Sequence, residues 1–196
     1  MYNTPPLETE RLFLRRFTEA DAAPMLPLLS DPEVNTFLPW FPLETVEQVR
    51  KFLEERYFSL YRQSAGCGYA ICRKSDNLPI GYMGVSPEYP YDFGYGLNRE
   101  FWGKGFATEA GRAVLAQAEA AGLPFLTATH DVKNPRSGAV MRRLGLTYRY
   151  SYVEQWQPKN VTVTFRMYQK NFTKPPDWVC QKYWEQYERH FVESGL

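Results

Sequence analysis

The chain has 196 residues, 44% hydrophobic and 23% charged, which suits one compact domain that buries its core without staples, with two domains as the weaker reading. Its formal net charge of +1 gives no excess that would favour nucleic acid or an anionic membrane as a partner. Three cysteines (Cys67, Cys72 and Cys180) lack disulfide-framework or zinc spacing, so no metal site is expected. The first six residues lack a basic region followed by an apolar run, and no stretch approaches a membrane span, so a cytoplasmic location is expected.

Glu10 to Phe17 reads as a strand, with Leu12 and Leu14 on one face. Thr18 has the character of a helix N-cap, with Asp21 three residues on, and opens a short helix to about Leu29. Ser30-Asp31-Pro32 breaks it, and Asn35 to Pro42 is irregular. Thr45 starts a second helix that reaches about Arg62, with Val46, Val49, Phe52 and Leu53 at helical spacing. Cys67 to Arg73 and Pro79 to Ser86 form a predicted hairpin around Asp76-Asn77. Tyr91 to Leu97 is a third strand, and its Gly94 and Gly96 suggest a bulge or the close approach of another backbone or ligand.

A glycine loop follows, then an alanine-rich helix from Ala107 to Ala121 with Gly122 as C-cap. Pro124 to His130 is a strand. Asn134-Pro135 opens a helix that ends at Gly145. Leu146 to Trp156 and Val161 to Gln169 are two more strands. After the break at Lys174-Pro175-Pro176, Trp178 to Val192 reads as a final amphipathic helix. Strand runs without intervening helices imply antiparallel pairs, and the helix between Leu97 and Pro124 implies a parallel crossover. The expected fold is α/β of the α+β kind, a mixed sheet with helices packed on it. The organisation is a domain over residues 1–172 and a helical extension over 173–196, packed on the domain or on a second subunit.

Chemistry concentrates between the third strand and the alanine-rich helix. Gly103, Lys104 and Gly105 let the backbone approach a ligand, and the first amides of a helix have no partner within it. A phosphate can accept those hydrogens where the helix dipole is positive. A plain strand-to-helix turn accounts for the local pattern equally well. The loop lacks the spacing of a Walker loop and the third glycine and short βαβ setting of a dinucleotide fingerprint.

The stretch from Phe93 to Ala110 resembles motif A of the GNAT superfamily of N-acetyltransferases, whose signature is Gln/Arg-x-x-Gly-x-Gly/Ala. Trp102 takes the first place, Gly105 the fourth and Ala107 the sixth. Trp102 and the Phe-Ala-Thr-Glu-Ala that follows Gly105 look like the RimJ/RimL branch, which acetylates ribosomal-protein N-termini. Glu8-Thr9-Glu10-Arg11-Leu12 with Arg15 is similar to that branch's opening strand, and Asn134-x-x-Ser137 with Leu144-Gly145-Leu146 to its motif B, where Leu146 replaces the usual Phe. The likeness spans about Thr9 to Gln169.

The resemblance implies a GNAT fold, in which a mostly antiparallel sheet with helices on both faces splays between two parallel strands, and acetyl-CoA as the cosubstrate bound in that opening. It implies cofactor contacts at Leu97 for the pantetheine and at Trp102, Gly103, Lys104, Gly105, Phe106, Ala107 and Thr108 for the pyrophosphate. Asn134 would bond the CoA arm, although Asn before Pro is also an ordinary N-cap. Ser137 would lie near the thioester sulfur. Asp92 ranks first and Glu154 second as the base that takes the amine proton, with a solvated surface carboxylate as the plainer reading of each. Trp40, Phe41 and His130 are the expected acceptor contacts, Trp40 and Phe41 being equally well a hydrophobic plug on the sheet.

The expected reaction is acetyl transfer to a primary amine, with a protein or peptide N-terminus as leading acceptor. A small-molecule amine is the alternative, and a non-catalytic CoA-binding sensor the alternative of another class. The chain is expected to act as a monomer or homodimer, with no nucleic-acid or membrane partner.

Overall fold

Short polar caps and alternating apolar residues set the elements in the computed structural model, which describes residues 3–63 and 65–196. A two-residue strand, β1 (Leu7–Glu8), pairs with β2 (Leu12–Arg15), where Leu12 and Leu14 are buried and Phe13 points outward. The Asp21 carboxylate accepts from Thr18 N at 2.8 Å and takes both Nη atoms of Arg15 at 2.8 and 2.9 Å, fixing the entry to α1 (Ala22–Ser30). Asp31 caps α2 (Pro32–Asn35) through Glu33 N. Thr45 and Gln48 form a reciprocal capping box on α3 (Val46–Leu53). That helix runs on through a π turn (Glu54–Phe58) into α4 (Ser59–Tyr61), so the helix predicted from Thr45 to about Arg62 is one rod with a local widening.

β3 (Cys67–Arg73), β4 (Pro79–Val85) and β5 (Phe93–Leu97) complete a five-stranded antiparallel sheet in the order β1-β2-β3-β4-β5. A 3-10 turn (Arg99–Phe101) and the glycine loop lead into α5 (Phe106–Ala120). Next come β6 (Phe125–Asp131), α6 (Pro135–Arg143), β7 (Thr147–Trp156) and β8 (Val161–Asn171). After them stand a single helical turn, α7 (Lys182–Gln186), and a two-residue strand, β9 (His190–Phe191). The second sheet has the order β6-β8-β7-β9. The two sheets touch at one parallel bridge, Asp92 to Thr127, beyond which β5 and β6 diverge. This is the splayed mixed sheet that the sequence predicts.

One core lies between the sheet and α5 and α6, built on Leu12, Leu14, Ile71, Met83, Val114, Leu126 and Met141. A second lies on the other face under α1 to α4, with Met25, Leu29, Val49, Leu53 and Tyr82. Cys67 and Cys72 are buried strand residues; loss of water pushes their thiols up to about 11 and about 12, which leaves them inert packing groups.

The predicted final helix over Trp178–Val192 is corrected: only Lys182–Gln186 is helical, and the chain then extends to lay β9 against β7. Two interactions outweigh the helical spacing. Tyr183 and Tyr187 both stack on Tyr152, at 4.9 and 4.7 Å between centroids. Arg189 O accepts from Val153 N at 2.8 Å, so the segment satisfies the edge of β7 that a helix would leave unpaired. Glu193 then accepts two bonds from Arg166 and one from the Ser151 hydroxyl, pinning the end of the chain to the sheet.

Candidate functional site

One side of the fork between β5 and β6 is made of backbone. At the ends of the β4–β5 ladder, Asn98 N bonds Ile80 O and Ser86 N bonds Asp92 O. The antiparallel alternation between those ends gives the even-numbered residues of β5 to β4. Phe93, Tyr95 and Leu97 therefore turn their amides and carbonyls toward β6. The Leu97 carbonyl is taken by the Trp102 indole Nε1 at 2.8 Å, which leaves the Leu97 amide and both Tyr95 backbone groups facing the open edge.

The glycine loop stands at the mouth of this edge. Gly103 and Gly105 have φ of +72° and +82°, the left-handed region that favours glycine, and both are exposed. Gly105 is the N-cap of α5 and supplies no side-chain acceptor, so the amides of Phe106, Ala107 and Thr108 point out of the helix without a cap. Glu109 braces the loop from behind. Its carboxylate accepts from Thr9 Oγ1, Arg11 N and Arg11 Nε at 2.6, 2.9 and 2.6 Å, and Arg11 Nη1 donates to Lys104 O at 3.1 Å. Those donors hold Glu109 below the usual carboxylate range even though partial burial acts first and in the opposite direction. Lys104 is exposed, its ammonium 5.7 Å from the Phe101 ring centroid.

Across the fork, Asn134 Oδ1 accepts from Ser137 N at 3.3 Å, which makes Asn134 the N-cap of α6. The Tyr95 hydroxyl reaches over from β5 to the Ser137 carbonyl and hydroxyl, at 2.9 Å each. Burial pushes the Tyr95 phenol well up, so it stays protonated.

The other side of the fork is made of side chains. Asp92 lies at the vertex of the fork and receives bonds from Thr127 Oγ1 at 2.5 Å and from the Tyr183 hydroxyl. Loss of water raises its proton affinity above that of an ordinary aspartate, against these two bonds. Glu154 on β7 is also raised, first by partial burial and then by repulsion from Asp92, against a bond from Tyr187. Tyr152, whose ring stacks with those of Tyr183 and Tyr187, stands beside these carboxylates.

The structure thus brings Asp92, Glu154 and the fork together and sets Ser137, Asn134 and residues 102–108 around the donor edge. His130 is corrected. Its ring lies behind the sheet under α6, where a Cβ on Gly138 would stand 2.5 Å from Nε2, and only 4% of the residue is exposed. Strand parity is the reason: Leu126, Ala128 and His130 face α5 and α6, while Thr127 and Thr129 face Asp92 and Tyr152. The Trp40–Phe41 pair is split. Trp40 packs edge-on against Phe52, lies under the Arg56 guanidinium and donates to Asn35 Oδ1, whereas Phe41 is 58% exposed. Sequence reasoning passed over Thr127, Tyr95 and Tyr183. The alternation of Leu126 and Ala128 with Thr127 and Thr129 was a usable signal for Thr127; Tyr183 carried none, because its segment reads as helix.

A mixed sheet forked at one parallel bridge, with an uncapped helix at the mouth of the fork, is the architecture of an acetyltransferase. The chain belongs to the GNAT acetyltransferase family: the Acetyltransferase (GNAT) domain matches residues 11–147. It is 28% identical over 146 residues to the uncharacterized N-acetyltransferase YoaA of Bacillus subtilis, covering 72% of this chain and 82% of that protein. Uncharacterized N-acetyltransferase p20 of Bacillus licheniformis is 33% identical over 108 residues, 53% of this chain and 60% of that one. In fold, a GNAT-family acetyltransferase from Bacillus anthracis superposes with a TM-score of 0.75 at 21% identity, over 87% of this chain and all (100%) of the other. The ribosomal alpha-N-protein acetyltransferase RimL, solved with coenzyme A, gives 0.75 at 20% over 86% and 99%. The microcin self-immunity acetyltransferase MccE, solved with acetyl-CoA and AMP, gives 0.72 at 18% over 83% and 93%.

Proposed function

We propose that this N-acetyltransferase moves acetyl from acetyl-CoA to the α-amine of a protein or peptide N-terminus, by direct attack in a ternary complex. The observation that carries this reading is the fork itself, with uncapped amides and an open strand edge on one side and a water-poor carboxylate at its vertex. The amides of Phe106, Ala107 and Thr108, with the Gly103–Gly105 backbone and Lys104, suit a pyrophosphate. The open edge at Tyr95 and Leu97 suits the amides of a pantetheine arm laid along it as an added strand. These features fit the acetyl-CoA expected from the sequence, with Trp102 bracing Leu97 and with Asn134 and Ser137 at the far wall.

The thioester supplies an activated acetyl carbonyl. The amine must be neutral to attack it, and Asp92 takes the proton that the amine loses as the new C–N bond forms. Amide donors on the open edge, Tyr95 N among them, stabilise the oxyanion that develops on the carbonyl oxygen. As the C–S bond breaks, the Ser137 hydroxyl, beside the Tyr95 phenol, donates a hydrogen bond to the departing thiolate, which takes up a proton from solvent as free CoA leaves. An α-amine, with an ordinary pKa near 7.7–8.0, is already partly neutral at pH 7, whereas a lysine-like amine near 10.4 is not. A buried carboxylate base of raised proton affinity suits the former.

A mass-spectrometric transfer screen with peptide N-termini and small amines side by side tests the acceptor. Peptides are expected to react fastest, and exclusive acetylation of small amines would replace this reading. Asp92→Asn is expected to lower the transfer rate by about 10²–10⁴-fold while leaving CoA affinity intact. A wild-type rate in that variant would remove Asp92 as the base.

A further inference from the structure

The Acetyltransferase (GNAT) domain match ends at residue 147, yet a residue far beyond it closes the acceptor side of the fork. We infer that Tyr183 is a positioning residue for Asp92, its hydroxyl holding the carboxylate against the β5–β6 vertex so that the C-terminal segment completes the acceptor half of the active site. The inference rests on the reading of Asp92 as the base.

Geometry carries it. Asp92 has two oxygens and two donors: Thr127 on β6 engages Oδ1, and Tyr183 engages Oδ2. Thr127 lies opposite Asp92 in the bridge that joins the sheets, so it comes with the fold of the fork. Tyr183 comes from 91 residues away and needs its own support. That support is extensive. Its ring stacks on Tyr152 at an interplanar angle of 13°. The residues before it are held where Cys180 N donates to Gln169 Oε1 and the Tyr150 hydroxyl donates to Cys180 O, both at 2.9 Å. The residues after it are held by β9 on β7 and by Glu193 on Arg166. A surface tyrosine that met a carboxylate by chance would not be clamped on both sides.

The chemistry follows from the polarity of the bond. Tyr183 donates, and burial beside Asp92 pushes its phenol far above the physiological range, so it remains a donor at any working pH. A donor to a carboxylate favours the ionised, proton-accepting form. Burial acts against it, Thr127 acts in the same sense as Tyr183, and the repulsion between the two carboxylates falls on Glu154 of β7, which it raises. The remaining titratable groups around Asp92 are Tyr150 and Tyr152 on β7 and Cys180 and Tyr187 in the C-terminal segment, all with raised pKa and hence neutral. No cation faces it among the described residues bearing on its ionisation. Tyr183 and Thr127 are therefore what keeps a buried aspartate available as a base.

Tyr183→Phe keeps the stacked ring and deletes only the hydroxyl. Two measurements on the full chain test it: the acidic limb of the transfer rate against pH, and the titration of Asp92 followed by ¹³C NMR on aspartate-labelled protein. Loss of the donor is expected to move both upward by about one pH unit, a tenfold change in proton affinity. Thr127→Val is expected to move them in the same direction. An Asp92 titration unmoved in Tyr183→Phe overturns the inference. If that titration moves while Asp92→Asn leaves the rate profile as in the wild type, the reading of Asp92 as base fails instead. A Tyr183→Phe variant that loses activity equally at all pH values, with its titration unmoved, assigns Tyr183 a packing role and also overturns the inference.

Discussion

The halves of the fork that we assign to donor and acceptor are built from different materials. The donor half is backbone: left-handed glycines, uncapped helix amides and an unpaired strand edge, drawn from the run between Tyr95 and Thr108. The acceptor half is side chains at Asp92, Thr127, Glu154 and Tyr183, carried by separate segments that only the tertiary fold assembles. A backbone site is indifferent to most side-chain changes and vulnerable to a few conformational ones. A side-chain site has the opposite sensitivity, and can change its acceptor without disturbing the donor.

The largest effect is therefore expected from a conformational lesion in the donor half. Gly105 has φ of +82°, and an L-residue there costs about 1–2 kcal/mol, more when β-branched. The loop relieves that strain by moving, which misdirects the amides of Phe106 to Thr108. Gly105→Val is expected to weaken CoA binding by at least tenfold to a hundredfold in calorimetric titration, with a melting temperature within a few degrees of the wild type because the site is exposed and remote from the core. Unchanged CoA affinity would sink the assignment of the loop.

The same contrast explains what could be read in advance. Gly103, Gly105 and the alanine-rich helix are local, so spacing along the chain carries their meaning, and the loop and its helix stand where the sequence places them. Asn134 is also open to local reading, as an N-cap, and it makes that contact. His130 depended on which face of β6 it takes, and a shift of one residue in parity moved it behind the sheet. Tyr183 sits in the one turn of its segment that is helical, and its place is set by stacking on Tyr152 and by the pairing of β9 with the edge of β7, contacts some thirty residues distant.

A smaller effect is expected where the donor loop is braced by side chains. Glu109 joins the loop to the β1–β2 turn through Thr9 and Arg11, with side-chain exposures of 17% for Glu109 and 43% for Arg11. With so open a partner the pair contributes on the order of 1 kcal/mol. Glu109→Gln is expected to weaken CoA binding severalfold. The folded state holds Glu109 below its ordinary value, so its contribution is present above the usual carboxylate range and is lost as pH falls through the lowered value. Melting temperature measured from pH 6 down to pH 3 is expected to fall less steeply in the variant than in the wild type. Parallel curves would show that the brace contributes nothing to stability.

The smallest effect on stability is expected at Trp40 and Phe41, two adjacent aromatics with different surroundings. Trp40 is held by Phe52, Arg56 and Asn35, and belongs to the packing of the helical layer. Phe41 is 58% exposed. Removing an exposed ring leaves no cavity and strands no polar partner, so Phe41→Ala is expected to alter stability by no more than about 0.5 kcal/mol. If Phe41 covers the acceptor and not the donor, the variant raises KM for the amine severalfold and leaves KM for acetyl-CoA as it was. Equal changes in both constants, or in neither, would place Phe41 outside the acceptor site and leave that site to the carboxylates and tyrosines at the vertex of the fork.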